Sequence, residues 1–173
     1  MLLPSVGAES DTNVTPFYIF NAASNFGIDQ TLMYAICTVE SRCRSRVINH
    51  DDARKAEKDR GIVKKSFGLF QLQIDTAKFL GFKRYTEVSV VVTKRHKTKI
   101  VIKKIDHILD LLKPEINAWY AAKLLNHLYK RYHNTPKVIS AFNAGHAITS
   151  NKDYVLKVLK AYSRLKIDHQ RTL

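Results

Sequence analysis

The sequence predicts a mainly α-helical fold, built as one small domain with a single β-hairpin. Its 173 residues are 45% hydrophobic, a length and composition that allow a core to be buried without metals or disulfides. Apolar residues recur at helical spacing through most of the chain and alternate strictly in one stretch only. No repeat and no low-complexity linker divides the chain, so we expect one domain.

The N-terminal part divides into an arm and a first helix. Residues 1–14 are small and polar without periodicity, and we expect a flexible arm there, preceding a domain over 15–173. A helix is predicted over 16–26, because Thr15 followed by proline is a start signal and Gly27 a stop signal.

The second predicted helix ends in an acidic residue. It begins after Asp29, a favourable N-cap. Its apolar face follows the i, i+3, i+4, i+7 rule through Leu32, Ala35, Ile36 and Val39. Glu40 lies four residues after Ile36, so it extends this face and we expect it to be partly desolvated. Burial in apolar surroundings raises the pKa of a carboxyl, so that it can stay protonated near neutral pH and act as an acid.

The middle of the chain reads as a loop, a turn and a hairpin. Residues 41–65 are charged and irregular, which indicates a long loop. Ser66–Gln71 is a compact apolar turn, followed by a short helix that ends at Gly81. Valines and isoleucines then alternate with other residues on either side of a basic tip, Lys94–Lys97, which predicts a β-hairpin insertion over 83–104.

Four helices are predicted in the C-terminal part. They run from about 105 to 112, from 114 to about 132, from Thr135 to a turn at 143–145, and from 153 to 165.

The charge balance predicts a polyanionic partner. Lysine and arginine number 29 against 15 aspartates and glutamates, a formal net charge of +14, which attracts polyanions over long range. Nucleic acid and the anionic polymers of a bacterial envelope explain this charge equally well. No nucleic-acid motif accompanies the basic residues, so we expect no specific nucleic-acid binding.

The cysteines and the N-terminal residues bear on metal binding, disulfide formation and export. Cys37 and Cys43 are the only cysteines and have no histidine at ligand spacing, so we expect no metal and no cofactor. They either form a local disulfide or stay as two reduced, partly buried thiols, and the second alternative is favoured. The start of the chain lacks a basic region and a long apolar run, so neither a signal peptide nor a transmembrane segment is expected.

Four motifs carry a family resemblance. They are Thr38–Ser41, Ser66–Gln71, Pro114–Asn117 and Ala141–Gly145. In this order they resemble the soluble lytic transglycosylase (SLT domain) family, whose patterns are a Glu-Ser pair closing a helix, a Ser-x-Gly-Leu-Met-Gln turn, a Pro-Glu-x-Asn helix start and a Tyr-Asn-Ala-Gly turn. The resemblance spans residue 15 to about 162. Phe70 replaces the methionine and Phe142 the tyrosine of these patterns.

The resemblance implies a lysozyme-like helical fold of the goose type and a reaction with one catalytic acid. Glu40 would protonate the glycosidic oxygen of the MurNAc-GlcNAc β-1,4 bond in peptidoglycan. The N-acetyl group of the substrate would stabilise the cationic centre, and Glu40 would then deprotonate the muramyl C6 hydroxyl. The product would carry a 1,6-anhydromuramyl end.

The same resemblance implies four substrate-binding residues. Ser66 would hydrogen-bond the catalytic carboxyl or the N-acetyl group, Gln71 and Asn143 would bind sugar amides and hydroxyls, and Tyr154 would lie near the acid. Structural alternatives remain open for each of them. Ser66 and Gln71 could close a turn, Asn143 could belong to a helix cap, and Tyr154 could be a core residue.

Two other functions compete with this prediction. A hydrolytic muramidase would need a second carboxylate to position water, and Asp51 and Asp52 are the nearest in sequence. A non-catalytic basic module that binds the envelope or nucleic acid could share the fold. We expect a monomer that binds peptidoglycan glycan strands and anionic envelope polymers. It would act at the cell wall or periplasm, delivered by a phage or a dedicated secretion route.

Overall fold

Helices form most of the structure, a computed structural model that describes residues 15–50, 64–94, 97–147 and 149–171. Six α-helices lie in these ranges: α1 (Thr15–Phe26), α2 (Gln30–Ser41), α3 (Ile74–Phe79), α4 (Pro114–Tyr132), α5 (Thr135–Ala144) and α6 (Lys152–Arg171). Short 3-10 helices cover Ile108–Leu112 and Thr149–Asn151. The predicted mainly α fold is confirmed.

Two antiparallel sheets accompany the helices. The first has three two-residue strands in the order β1 (Ile48–Asn49), β2 (Ser66–Phe67) and β3 (Leu72–Gln73). The second is the predicted hairpin, whose strands β4 (Tyr85–Lys94) and β5 (Lys97–Asp106) pair along all ten residues. The hairpin therefore extends two residues beyond the predicted end at 104, and the small sheet is an addition to the prediction.

The core lies between the packed helices of a bundle. Large apolar side chains from five helices are fully buried, among them Ile19, Met33, Ile36, Leu125, Ile139 and Val158. Buried alanines let the helices approach closely: Ala22, Ala23, Ala35, Ala118, Ala121 and Ala122. No helix in the described part of the chain is long and apolar enough to cross a membrane.

Local hydrogen bonds explain where the elements begin and end. The side chain of Asp29 accepts from the backbone N–H of Leu32 at 2.8 Å, which confirms it as the N-cap of α2. Asn134 caps α5 by accepting from Lys137 N at 3.0 Å, one residue before the predicted Thr135. The last helix continues to Arg171, six residues beyond its predicted end.

The helix predicted over 105–112 is wrong in its first half. Residues 105 and 106 belong to β5, and only a 3-10 helix follows, at Ile108–Leu112. Arg84 forms an ion pair with Asp106 at 2.9 Å, and His107 N donates to Arg84 O at 2.7 Å. These contacts hold the chain in the hairpin, since helix formation at 105 would break them.

The two cysteines are joined across the end of α2. Cys37 and Cys43 form a disulfide with Cα atoms 5.0 Å apart, a separation typical of such bonds. The alternative of two reduced thiols, which the sequence favoured, is therefore wrong for this structure. Arg42 and Cys43 adopt left-handed backbone conformations with φ of 57° and 54°, which end the helix directly after Glu40 and Ser41.

Three predictions fall outside the described residues. They concern the flexible arm over 1–14, most of the loop over 41–65, and the loop carboxylates Asp51 and Asp52.

Candidate active site

A cleft of about 900 Å³ lies beside the C-terminal end of α2 and contains the predicted acid. Glu40 lines it together with two of the four predicted substrate-binding residues, Gln71 and Asn143. The other contributions come from the segment 70–73, α3, one face of α4 and the end of α5. Tyr154 and Ser66 do not line the cleft, but Tyr154 contacts Glu40.

Glu40 and Tyr154 are joined by a short hydrogen bond. The Tyr154 hydroxyl donates to Glu40 Oε1 at 2.5 Å, across 114 residues of sequence. Glu40 is half-buried, as predicted. Burial, together with the neighbouring carboxylate, raises the pKa of the Tyr154 phenol, so the tyrosine remains a donor at neutral and alkaline pH. Tyr154 thus orients the carboxylate and stabilises its charged form.

Ser41, the second residue of the Glu-Ser pair, connects two of the motifs. Its hydroxyl donates to Leu69 O at 2.7 Å and accepts from Arg44 N at 3.1 Å. Ser41 is buried, so these bonds are shielded from water and fix the end of α2 against the turn at 66–71. The position of Glu40 relative to that turn follows from this contact.

The turn at 66–71 is held from both sides. Ser66 is fully buried in β2, opposite Asn49 on one side and Gln73 on the other. Gln71 has a left-handed backbone, with φ of 47°, and its Nε2 donates to Gly68 O at 2.8 Å. The turn-closing alternative for Gln71 is therefore realised, although its side chain also lines the cleft. Because Nε2 of Gln71 is bonded to the turn, its amide oxygen would be the atom that binds a sugar.

Asn117 belongs to the motif at 114–117, and the sequence assigned it no role of its own. In the structure it holds the same turn through hydrogen bonds. It is fully buried. Its Nδ2 donates to Phe67 O at 2.8 Å and Leu111 O at 2.7 Å, and its Oδ1 accepts from Phe70 N at 2.8 Å. Gly68 passes so close that a Cβ there would lie 2.6 Å from Asn117 Nδ2. The motif at 114–117 therefore holds the motif at 66–71 in its conformation.

Asn143 lies in the last turn of α5 and is exposed at the cleft. The helix cap is supplied by Gly145, whose φ is 78° and whose N–H donates to Ala141 O at 2.8 Å. Asn143 is therefore available for the cleft, and its Oδ1 accepts from Asn151 Nδ2 at 3.3 Å. Asn151, which also lines the cleft, was missed in the sequence.

One wall of the cleft is a helix face that the sequence did not single out. Leu124, His127, Leu128 and Arg131 follow one another at helical spacing on α4 and all line the cleft. Phe79 of α3 is 69% exposed and stacks edge-on against His127, with ring centroids 5.2 Å apart. This wall offers an aromatic surface and the cationic group of Arg131 to a bound chain, and Lys64 adds a second cation.

Carboxylates are few in the described part of the cleft. Glu40 is joined there only by Asp75, an exposed residue whose Oδ1 lies 3.8 Å from Lys78 Nζ. The described residues contain no group of three or more histidines, cysteines, aspartates or glutamates that could hold a metal ion.

Comparison with known families decides the classification. The family described as transglycosylase SLT domain matches residues 17–155, which is most of the chain. The chain belongs to this SLT family. No curated protein and no solved structure matches it. The resemblance on which the sequence prediction rested is thereby confirmed.

Membership in the SLT family carries a general function. It implies lytic transglycosylase activity, the cleavage of glycosidic bonds in peptidoglycan, and action on the cell wall. All four motif segments lie inside the matched range, and three of them contribute residues that line the cleft. The fourth, at 114–117, supports the cleft through Asn117.

Proposed function

We propose that this SLT domain cleaves the MurNAc-GlcNAc β-1,4 bond with Glu40 as its one acid and base, leaving 1,6-anhydromuramyl ends. The observation that carries the proposal is the half-buried Glu40 carboxyl, held in the cleft by the Tyr154 hydroxyl at 2.5 Å. A buried donor beside the acid suits a group that must first give a proton and then exist as a carboxylate.

The reaction balances without water. Glu40 donates its proton to the glycosidic oxygen as the bond to the anomeric carbon breaks, and the substrate N-acetyl group stabilises that carbon. The Glu40 carboxylate then removes the proton of the C6 hydroxyl, whose oxygen bonds to the anomeric carbon. Glu40 regains its proton, and the hydrogen bond from Tyr154 stabilises the carboxylate between the two steps.

The composition of the cleft supports a glycan with N-acetyl groups and carboxylates. Amide side chains line it at Asn49, Gln71, Gln73, Asn143 and Asn151. Sugar hydroxyls and acetamido groups pair with such amides, whereas the cationic groups of Lys64 and Arg131 attract carboxylates of the muramyl substituent. The net charge of +14 favours approach to an anionic envelope.

A hydrolytic muramidase is the second candidate, because Asp75 shares the cleft with Glu40. Hydrolysis by inversion would need that carboxylate to activate water on the opposite face of the sugar. Asp75 is exposed and pairs with Lys78, which favours a surface role over a catalytic one. We therefore rank this candidate below the transglycosylase.

We propose that the protein acts as a monomer at the cell wall or periplasm during phage lysis or cell-wall penetration. A small, strongly basic domain with a glycan cleft suits an enzyme that reaches the wall by itself, because its positive charge attracts it to the anionic polymers there. A dedicated secretion route would make the same demands on the molecule.

The mass of the products tests the proposal. Digestion of purified sacculi should release fragments with 1,6-anhydromuramyl ends, about 18 mass units lighter than hydrolytic ends because no water is added. Glu40→Gln preserves size but cannot transfer the proton, so turnover should fall by about three orders of magnitude or more. Asp75→Asn is the matched control and should retain activity.

Two results would contradict the proposal. Reducing ends from the wild-type protein, together with a large loss in Asp75→Asn, would assign a muramidase. Undiminished turnover in Glu40→Gln would remove Glu40 from the chemistry altogether.

A further inference from the structure

The chain reverses at the end of α2, shortly after Glu40, through an unfavourable backbone. Arg42 and Cys43 are two successive residues in the left-handed region, with φ of 57° and 54°. A Cβ crowds the following carbonyl oxygen in this conformation, so glycine is the usual residue where a helix ends in this way. α1 and α5 end at such glycines, Gly27 and Gly145. α2 makes its reversal without a glycine, so other contacts must hold it.

Two backbone hydrogen bonds and one covalent bond close this reversal. Arg42 N donates to Thr38 O at 3.1 Å. Cys43 N donates to Cys37 O at 3.2 Å, and the disulfide joins the same two residues. Cys37 is fully buried in the core, whereas Cys43 is partly exposed. The disulfide therefore ties the outer residue of the reversal to the close-packed interior of the molecule.

The reversal places Arg44 against Ser41, the neighbour of Glu40. Arg44 N donates to Ser41 Oγ at 3.1 Å, and Arg44 Nε donates to Ser41 O at 3.1 Å. The Ser41 hydroxyl in turn donates to Leu69 O at 2.7 Å. One continuous set of contacts thus runs from the disulfide through Arg44 and Ser41 to the turn at 66–71. Glu40 lies within the segment that the disulfide closes.

We propose that the disulfide between Cys37 and Cys43 positions Glu40, so that cleavage depends on the oxidised state of the chain. The inference rests on the proposed role of Glu40 as the acid. A residue with a Cβ keeps a left-handed backbone only where its surroundings enforce it, and the disulfide enforces it at Cys43. When the bond is reduced, the reversal relaxes and Arg44 leaves Ser41. The Glu40 carboxyl then departs from the geometry that proton transfer needs.

Reduction is a two-electron exchange with a dithiol. A thiolate of the dithiol attacks Cys43 Sγ, the partly exposed sulfur, and displaces the Cys37 thiolate, which takes up a proton. The second thiol then releases Cys43 as a thiol and closes the disulfide of the oxidised reductant. Disulfides persist in the bacterial periplasm and are reduced in the cytosol. The enzyme would therefore have low activity in the cytosol and full activity at the wall.

Two substitutions of one cysteine separate the covalent bond from the backbone conformation. Cys43→Ser and Cys43→Gly both remove the disulfide and leave Cys37 in the core, but only glycine adopts a left-handed backbone without steric cost. Steady-state cleavage of soluble glycan fragments compares both variants with oxidised wild type and with wild type in dithiothreitol. Circular dichroism at the assay temperature verifies that each protein is folded. Cys43→Ser in dithiothreitol is the control for other effects of the reductant.

Reduction should lower the kcat of the wild-type protein about tenfold and change KM little, because Glu40 is displaced while the rest of the cleft remains. Cys43→Ser should match the reduced protein and should not respond to dithiothreitol. Cys43→Gly should keep kcat within about threefold of the oxidised wild type, since glycine restores the reversal without the bond. An unchanged kcat on reduction, or equal losses in the two variants, overturns the inference.

Amide hydrogen exchange separates this inference from the proposed function. The N–H groups of Arg42 and Arg44, which are bonded to Thr38 O and Ser41 Oγ, should exchange about tenfold faster in the reduced protein and in Cys43→Ser than in oxidised wild type. Equal exchange rates overturn the inference whether or not the protein cleaves glycan. Faster exchange on reduction in a protein that cleaves neither sacculi nor glycan fragments refutes the proposed function and supports the role of the disulfide in holding the end of α2.

Discussion

At the scale of single residues, the decisive contact is between Glu40 and Tyr154. The phenol cannot ionise in the ordinary range, because burial and the adjacent carboxylate raise its pKa. It therefore donates to Glu40 Oε1 at any pH at which a wall enzyme works. A permanent donor favours the carboxylate form, and the hydrogen bond also fixes the orientation of the Glu40 carboxyl group.

Removing this donor should slow the chemical step. Tyr154→Phe keeps the ring and deletes the hydroxyl, so we expect kcat to fall by about 10- to 100-fold, the value of one hydrogen bond to a charged group of roughly 1.5–3 kcal/mol. KM should change little. The basic limb of the pH profile should move to higher pH, since the carboxylate form loses a stabilising donor. Steady-state kinetics on soluble glycan fragments measures all three.

Tyr162→Phe is the control for this substitution. Its hydroxyl also donates to a carboxylate, Asp29 Oδ2 at 2.9 Å, from the same helix α6, but Asp29 does not line the cleft. Tyr162→Phe should leave kcat and the pH profile unchanged. Equal kinetics for the two variants would show that Tyr154 has no part in the reaction.

At the scale of elements, the cleft depends on bonds that hold short segments in place. The turn at 66–71 has strands of only two residues beside it, too short to be stable by pairing alone. Asn117 at the start of α4 supplies three hydrogen bonds to the turn and its surroundings. The turn is therefore held in place by its hydrogen bonds to α4.

Asn117→Ala should destabilise the protein more than a usual amide deletion. It leaves the buried carbonyls of Phe67 and Leu111 and the N–H of Phe70 without their partner. We expect the free energy of unfolding to fall by about 2–4 kcal/mol, since each unsatisfied buried group costs roughly 1–3 kcal/mol. Thermal or urea unfolding measures it. Asn25→Ala, an exposed amide on α1, should cost far less. Similar values for both would refute this role of Asn117.

Asp29 links the start of α2 to α6. Its burial disfavours the charge, but hydrogen bonds from Leu32 N–H and the Tyr162 hydroxyl and the charge of Lys166 outweigh this and lower the pKa of Asp29. A carboxylate whose folded pKa is depressed stabilises the folded state above its unfolded pKa, about 3.9. That contribution is lost as pH falls through the folded value.

Asp29→Asn isolates the charge, because asparagine caps helices as well as aspartate does. At pH 7 the variant should be less stable than wild type by ~0.5 kcal/mol, a small value because the group is partly exposed. The difference should shrink as the pH falls below about 4 and close once the folded carboxyl is protonated. Urea unfolding of both proteins across this range measures it. A difference that is constant with pH would show that the charge contributes nothing.

At the scale of the whole molecule, the net charge of +14 should govern encounter with the wall. Salt screens exposed charges beyond about 8–10 Å at physiological ionic strength. Binding of Glu40→Gln to purified sacculi, measured by co-sedimentation without digestion, should therefore fall steeply as salt is raised. The same series with sacculi stripped of anionic polymers should show weaker binding at low salt. Binding that salt does not change would exclude an electrostatic attraction.

The sequence by itself determined the helices and the hairpin, because their signals are local. Each of these signals depends only on residues that are close together in the sequence. Examples are the periodicity at 114–132, the Asp29 cap and the alternation around 88–102. The motifs, through their family, also indicated Glu40 and its companions.

Only the tertiary structure decided how these pieces form a cleft. The strands β1 to β3 have two residues each and no period, and they pair across the long interval between Asn49 and Ser66. The wall of Phe79 and His127 exists only where α3 meets α4. The contact of Tyr154 with Glu40 across 114 residues was expected from the family resemblance, and no local pattern indicates it. Such contacts depend on packing between distant segments, whose free energy is realised only when the whole core forms, so no local pattern encodes them.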